Sequence, residues 1–160
     1  MARSFDEYMS NLTTMWNLLG QYEIEIGVIS KNSSRTSAKL GLTNAELMYI
    51  HENGSPMRNI PARPVLAIAL KHASKKMLPE TLKVIEKGLF DYGWERKDVE
   101  DELEKFCLRL QDYAQQIIGN NDGRLAPNAP STIKAKGMNH PLQVTGQLKR
   151  SITCHLIKKL

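Results

Sequence analysis

The residues of this chain able to start chemistry are four histidines, two cysteines and a scatter of serines, and their spacing decides what they can do. His51, His72, His140 and His155 form no HxxxH pair and have no carboxylate at a ligand spacing, so they read as hydrogen-bonded surface or boundary histidines. His51-Glu52 has the first two letters of HExxH, but Asn53, Gly54 and Ser55 follow where that motif needs a helix running on to a second histidine. Ser33, Ser34, Ser55, Ser131 and Ser151 lack a GxSxG elbow. Cys107 falls on an apolar helical stripe, shielded from substrate, and neither it nor Cys154 has a CxxC or Cys/His spacing, so both read as reduced structural thiols. Gly137 and Gly146 stand alone, without the clustered glycines that cradle a phosphate after a strand. Met9, Met15, Met48 and Met77 suit gap filling in a core better than ligation. The expectation is a protein with no enzymatic activity, no metal and no cofactor.

Charge is the stronger signal. The net formal charge of +5 is uneven: −3 over residues 1–30, +5 over 31–75, −3 over 76–119 and +6 over 120–160. Two basic stretches therefore bracket an acidic middle, a pattern that suits contact with nucleic acid or with an acidic neighbouring subunit, and equally a plain solvated surface. Lys31, Arg35, Lys39, Arg58, Arg63, Lys134, Lys136, Lys149 and Arg150 can build a basic surface. Aromatic residues are only 6% of the chain and none is interleaved with these cations in sequence, which argues against base stacking. Non-specific phosphate contact stays open, and a small basic DNA-binding factor is the alternative function.

The 160 residues fit one domain, with 41% hydrophobic and 24% charged residues, an ordinary globular balance. No apolar run approaches the roughly 20 residues of a membrane span, and MARSFDEYMSNL has acids where a signal peptide is apolar. The expectation is synthesis and use in the cytosol, with no membrane contact.

The elements that must position any site follow from periodicity. Phe5, Tyr8, Met9, Leu12, Met15, Trp16 and Leu19 recur at helical steps, with Ser4 and Glu7 as a capping box and Gly20 as a stop. YEIEIGVIS alternates as a strand with one wet face. Residues 31–41 read as an exposed loop. Thr43 and Glu46 form a second capping box for a short helix ending at Asn53-Gly54. After Pro61 and Pro64, good helix formers run to Pro79, which can open a further helix. Val99, Leu103, Phe106, Leu110, Tyr113, Ala114 and Ile117 mark a long amphipathic helix near 95–118. Residues 120–144 read as an extended arm with one short turn of helix at Ser131–Lys136 and a loop at Gly137–Pro141, Thr145 as the cap of a second short helix to Arg150, and Ile152, Cys154 and Leu156 as a last strand. The fold class is α/β in the α+β sense: a small antiparallel sheet covered by several helices, in a single domain over 1–160.

Three segments then stand out in order: HENGSPMRNIPARPVL at 51–66, APNAPSTIKAKG at 126–137 and PLQVTGQLKRSITCHL at 141–156. Together they resemble the neck, or tail-completion, proteins of tailed bacteriophages. Members of that family show a His-Glu-x-Gly turn, an Ile-Pro-Ala-Arg-Pro box, a Pro-Ser-Thr-Ile-x-x-Lys-Gly segment and a Thr-Gly-x-Leu-x-x-Ser-Ile ending. The likeness covers most of the second half and the central box, while the first forty residues and 75–93 carry nothing diagnostic. Asn53 and Val65 stand where related sequences have aromatics, and Gln143-Val144 replaces Ile-Asp.

The resemblance implies a structural α/β subunit, without enzymatic activity, that closes with identical copies into a hexameric ring at the head–tail junction. Its implied partners are itself, the head-closure or connector proteins and the tail-terminator or tail-tube proteins, with non-specific contact to the passing genome. Its implied location is the virion neck, reached from the host cytoplasm. On the residues themselves, Pro61 and Pro64 stiffen a box in which Arg63 can grip a carboxylate or backbone carbonyls, in its own chain or a neighbour. Asn128, Pro130, Thr132, Lys134 and Lys136 sit on an arm too polar for a core element and suited to reaching another subunit. Thr145 turns the chain, and the following helix sends Leu148 inward and Lys149 and Arg150 outward.

Overall fold

The computed structural model describes residues 4–29, 41–142 and 145–159. The expected 31–41 loop, with Lys31, Arg35 and Lys39, lies outside them apart from Gly41. In chain order the elements are α1 (Phe5–Leu19), β1 (Tyr22–Val28), α2 (Asn44–Asn53), a 3-10 turn (Pro56–Arg58), α3 (Val65–His72), a π turn (Ala73–Met77), α4 (Leu78–Asp91), α5 (Arg96–Ile117), α6 (Pro130–Lys136), α7 (Gln147–Ser151) and β2 (Ile152–Lys158). This is the α+β fold that the alternation and the helical periodicity imply.

The sheet is one antiparallel pair, running from Tyr22 opposite Lys158 to Val28 opposite Ile152. Because side chains alternate along a strand, Ile24, Ile26 and Val28 share a face with Ile152, Cys154 and Leu156. That face packs on α5, whose stripe Phe106, Leu110, Ala114 and Ile117 is buried together with Met48 and Val65. A second cluster, Met15, Tyr22, Ile85, Val99 and Leu103, lies toward the start of α5, and Ile24 touches both. One helix thus carries two halves of the core.

Local chemistry accounts for the ends. Ser4 Oγ accepts from the Glu7 amide at 3.2 Å, and Thr43 with Glu46 makes the full reciprocal box. The Cys107 and Cys154 thiols, far apart in sequence, share a hydrogen bond between α5 and β2; by donating it, and through burial, Cys154 is raised well above its ordinary pKa. Among the described residues no helix is long and apolar enough to cross a membrane.

Pro79 stands in the first turn of α4, as expected of a helix-opening proline, and α3 leads into it through the π turn, where the Leu78 amide donates to the Ala73 carbonyl five residues back. A proline ring clashes with the carbonyl four residues before it and offers no amide, so the widened turn just upstream relieves both faults. Residues 120–142 do not reach away as an extended arm, since Leu125, Asn128 and Pro141 are buried, although the short helical turn expected at 131–136 is present as Pro130–Lys136. Nor is Thr145 the α7 cap, because Gly146, at φ 73°, takes that position while Thr145 Oγ1 accepts from the Gln147 amide at 3.4 Å.

After α4 the chain doubles back so that the amides of both Tyr92 and Trp94 donate to the Gly88 carbonyl, and the Trp94 indole lies directly on Gly88. A Cβ at position 88 would overlap that ring. Gly88→Ala is expected to destabilise the fold by roughly 1–3 kcal/mol through overpacking. This overrides the ~1 kcal/mol that alanine brings to an open helical site. Chemical denaturation of the variant measures it.

Candidate assembly site

The motif segments meet in space, and their contacts are made within the chain. The Arg63 amide donates to the His51 carbonyl at 2.6 Å. Helix α3 begins after Pro64 with no capping side chain of its own. Its exposed amides are instead met by Glu52, whose Oε1 accepts from the Ala67 amide at 2.8 Å and Oε2 from the Leu66 amide at 3.1 Å. A carboxylate there also complements the positive end of the helix dipole. Gly54 adopts φ 74° and ψ 179°, a region open essentially to glycine, and its Cα approaches the Ala62 backbone too closely for a Cβ.

Arg63 completes the lock. Its side chain is only 7% exposed; Nε donates to the Ala126 carbonyl and Nη2 to the Pro127 carbonyl, both at 2.7 Å. Burial lowers its pKa from the ordinary arginine value, yet a guanidinium stays charged. The fork therefore grips two successive carbonyls of its own chain and meets no carboxylate among the described residues. The same region is pinned further on: the Asn128 amide donates to Asn139 Oδ1 at 3.1 Å, the Gly119 amide to the Pro141 carbonyl at 2.9 Å, and His140 Nδ1 lies 2.6 Å from the Gly119 carbonyl. Arg150 curls back so that Nη2 donates to the Thr145 carbonyl at 3.1 Å.

The expected contact residues therefore divide. Arg63, Asn128 and Lys136 come together, and burial plus repulsion from Arg63 depress the Lys136 pKa. Pro61, Pro130, Lys134, Thr145 and Arg150 are exposed, while Pro64, Thr132 and Lys149 are half-buried. Leu148 points inward as expected. Glu52 went unnoticed as a cap because it lies far from α3 in sequence. The signal was present in the helix itself, which opens on Pro-Val and so needs an acceptor from elsewhere.

Two surfaces that the sequence did not single out have no partner among the described residues. On α1, Phe5, Met9 and Trp16 fall within about 40° of one line at 100° per residue. They stand 75%, 45% and 54% exposed. The second is the outer edge of β1. The Lys159 amide donates to the Gln21 carbonyl, which sets the odd-numbered β1 residues as the bonded pairs and turns the backbone of Ile152 and Cys154 outward. On β2 that edge is covered from α5: Gln115 Nε2 donates to the Ile152 carbonyl and Gln111 Oε1 accepts from the Cys154 amide, each at 3.0 Å. The outward groups of Ile24, Ile26 and Val28 have no such cover among the described residues. They border a groove of about 430 Å³ lined by residues 24–29 and Leu70.

No metal-holding group of three His, Cys, Asp or Glu residues occurs among the described residues. No family model, curated protein or solved structure matches the chain.

Arg63→Ala is expected to cost about 1–3 kcal/mol by leaving two partly buried carbonyls without their donor. Arg63→Lys should recover only part of it, because a point-like ammonium cannot reproduce the fork. Urea melts compare the three proteins, and an alanine variant as stable as the parent would rule out the clamp.

Proposed function

We propose that this chain is a structural subunit of a tailed-phage neck. It closes with copies of itself into a hexameric ring that completes the tail end, joins head to tail and lets the genome pass. The motif resemblance suggests the family, and one physical observation supports an assembling role: among the described residues one sheet edge is covered and the other is left uncovered beside an apolar groove, with an exposed apolar stripe on α1.

An open strand edge pairs readily with another chain, so monomers usually blunt it with charge, proline or a covering element. Here α5 gives its glutamines to β2, and β1 keeps apolar Leu70 at its rim. A contact between two different patches repeats head to tail and closes into a ring when the rotation permits. The neighbours in this reading are another copy on each side, a head-closure or connector ring above and a tail-terminator or tail-tube ring below. The Arg63 lock plays a supporting part by holding the 126–137 segment in one shape for such contacts.

Phe5→Ser combined with Trp16→Ser and Leu70→Glu should leave stability within about 0.5 kcal/mol per site, as surface changes do. The same variant should fail to enter particles when supplied in place of the parent chain. Electron microscopy of purified particles provides the direct check. Density for this chain as a ring between head and tail is the expected result, and its absence from the particles removes the reading.

A further inference from the structure

The π turn joining α3 to α4 has a second effect. On a regular α-helix, positions five apart point roughly 140° away from each other. The turn through Ala73–Met77, hydrogen-bonded five residues back, draws Lys71, Lys75 and Lys76 toward one side. These lysines rim a cavity of about 380 Å³ together with Arg124, which arrives from the loop after α5. The remaining wall is Ile68, His72 and Tyr113. His72 and Tyr113 are stacked, with centroids 4.0 Å apart and planes 13° from parallel, and the Arg124 guanidinium lies 5.6 Å from the Tyr113 centroid.

Carboxylate compensation is thin. Asp122 pairs with Arg124 at 2.6 Å, but no hydrogen bond or ion pair engages the ammonium groups of Lys71, Lys75 or Lys76 among the described residues. Three point charges beside a paired aromatic wall form a concave anion site whose floor is apolar and flat. The sequence hid this arrangement because Tyr113 and Arg124 lie about forty to fifty residues from the lysines, and only His72 is interleaved with these cations along the chain.

We propose that this pocket binds a nucleic-acid strand, with Lys71, Lys75 and Lys76 on its phosphates and the His72–Tyr113 pair as the surface against which a base rests. Lysine meets phosphate as a point charge without demanding a fixed geometry. Aromatic faces accept any base, so binding is sequence-tolerant. A flat aromatic floor gives nothing to the short side chains of an acidic peptide, which favours the strand over an acidic protein surface. None of these residues belongs to the Arg63 lock, the α1 stripe or the β1 groove. The site therefore stands whether or not the chain forms a ring.

The test is fluorescence anisotropy of the full chain with a labelled single-stranded oligonucleotide of about 20 nucleotides, titrated with salt. Replacing Lys71, Lys75 and Lys76 together with Gln should weaken binding at least about tenfold and flatten the log–log salt slope by about 2, the value for three lost phosphate contacts on a single strand. Tyr113→Leu, which keeps an apolar side chain, should weaken binding by about fivefold or more with the slope unchanged. The same charge change at Lys134, Lys149 and Lys158 should alter affinity by less than about threefold. Thermal melts confirm that each variant is folded. Equal losses in the two lysine triples, or no binding by the parent, overturn the site. So does a pocket triple that keeps its oligonucleotide affinity while changing the oligomer mass in sedimentation, since the pocket would then be a protein contact.

Discussion

The buried fork of Arg63 on the Ala126 and Pro127 carbonyls is the constraint on which the rest of the structure depends. A charged group so deeply buried is tolerated only when its donors are satisfied, and here two of them fix a loop more than sixty residues away in sequence. The box that holds Arg63 is in turn fixed by the His51 carbonyl, by Glu52 on the α3 amides and by the close approach that Gly54 permits. The 51–66 and 126–137 segments thus form one mechanical unit. The Arg63 and Glu52 side chains each serve backbone groups of another segment, and His51 enters through its backbone carbonyl, so this His-Glu pair has an architectural part.

Around that unit, α5 works as a two-sided beam. Its apolar stripe links both halves of the core, and Gln111 and Gln115 use the same helix to close the edge of β2. The asymmetry this creates among the described residues, one edge covered and one uncovered, is the physical support for the proposed neck role. The cationic pocket lies at the same end of the beam, beside Tyr113, which sits between Gln111 and Gln115 in sequence. Surfaces suited to protein and to nucleic acid are nonetheless built from separate residues.

What was legible in the sequence was whatever repeats or caps locally. The α1 and α5 stripes, the two alternating strands and the Thr43–Glu46 box all follow from spacing within one element. Residues whose partners are remote were not legible. Pro79 reads correctly as the opening of a helix, but the π turn that carries α3 into it has no local signal. The segment after α5 reads as a free arm because its polar composition hides that Arg63, Asn139 and Gly119 hold it down. Of the expected contact residues, those with short or charged exposed side chains stayed on the surface. Arg63 and Asn128 turned inward, because a buried backbone carbonyl or amide needs a partner wherever it can be found.

The pairing of β1 with β2 has a temporal side. Val28 faces Ile152, so every helix from α2 to α7 must leave the ribosome before the sheet can exist. Helices gather first through local contacts, and the strand pairing, with its long loop to close, comes last. During vectorial synthesis β1 therefore emerges well before its partner strand, and one of its margins is chosen only once Ile152–Lys158 has followed it out.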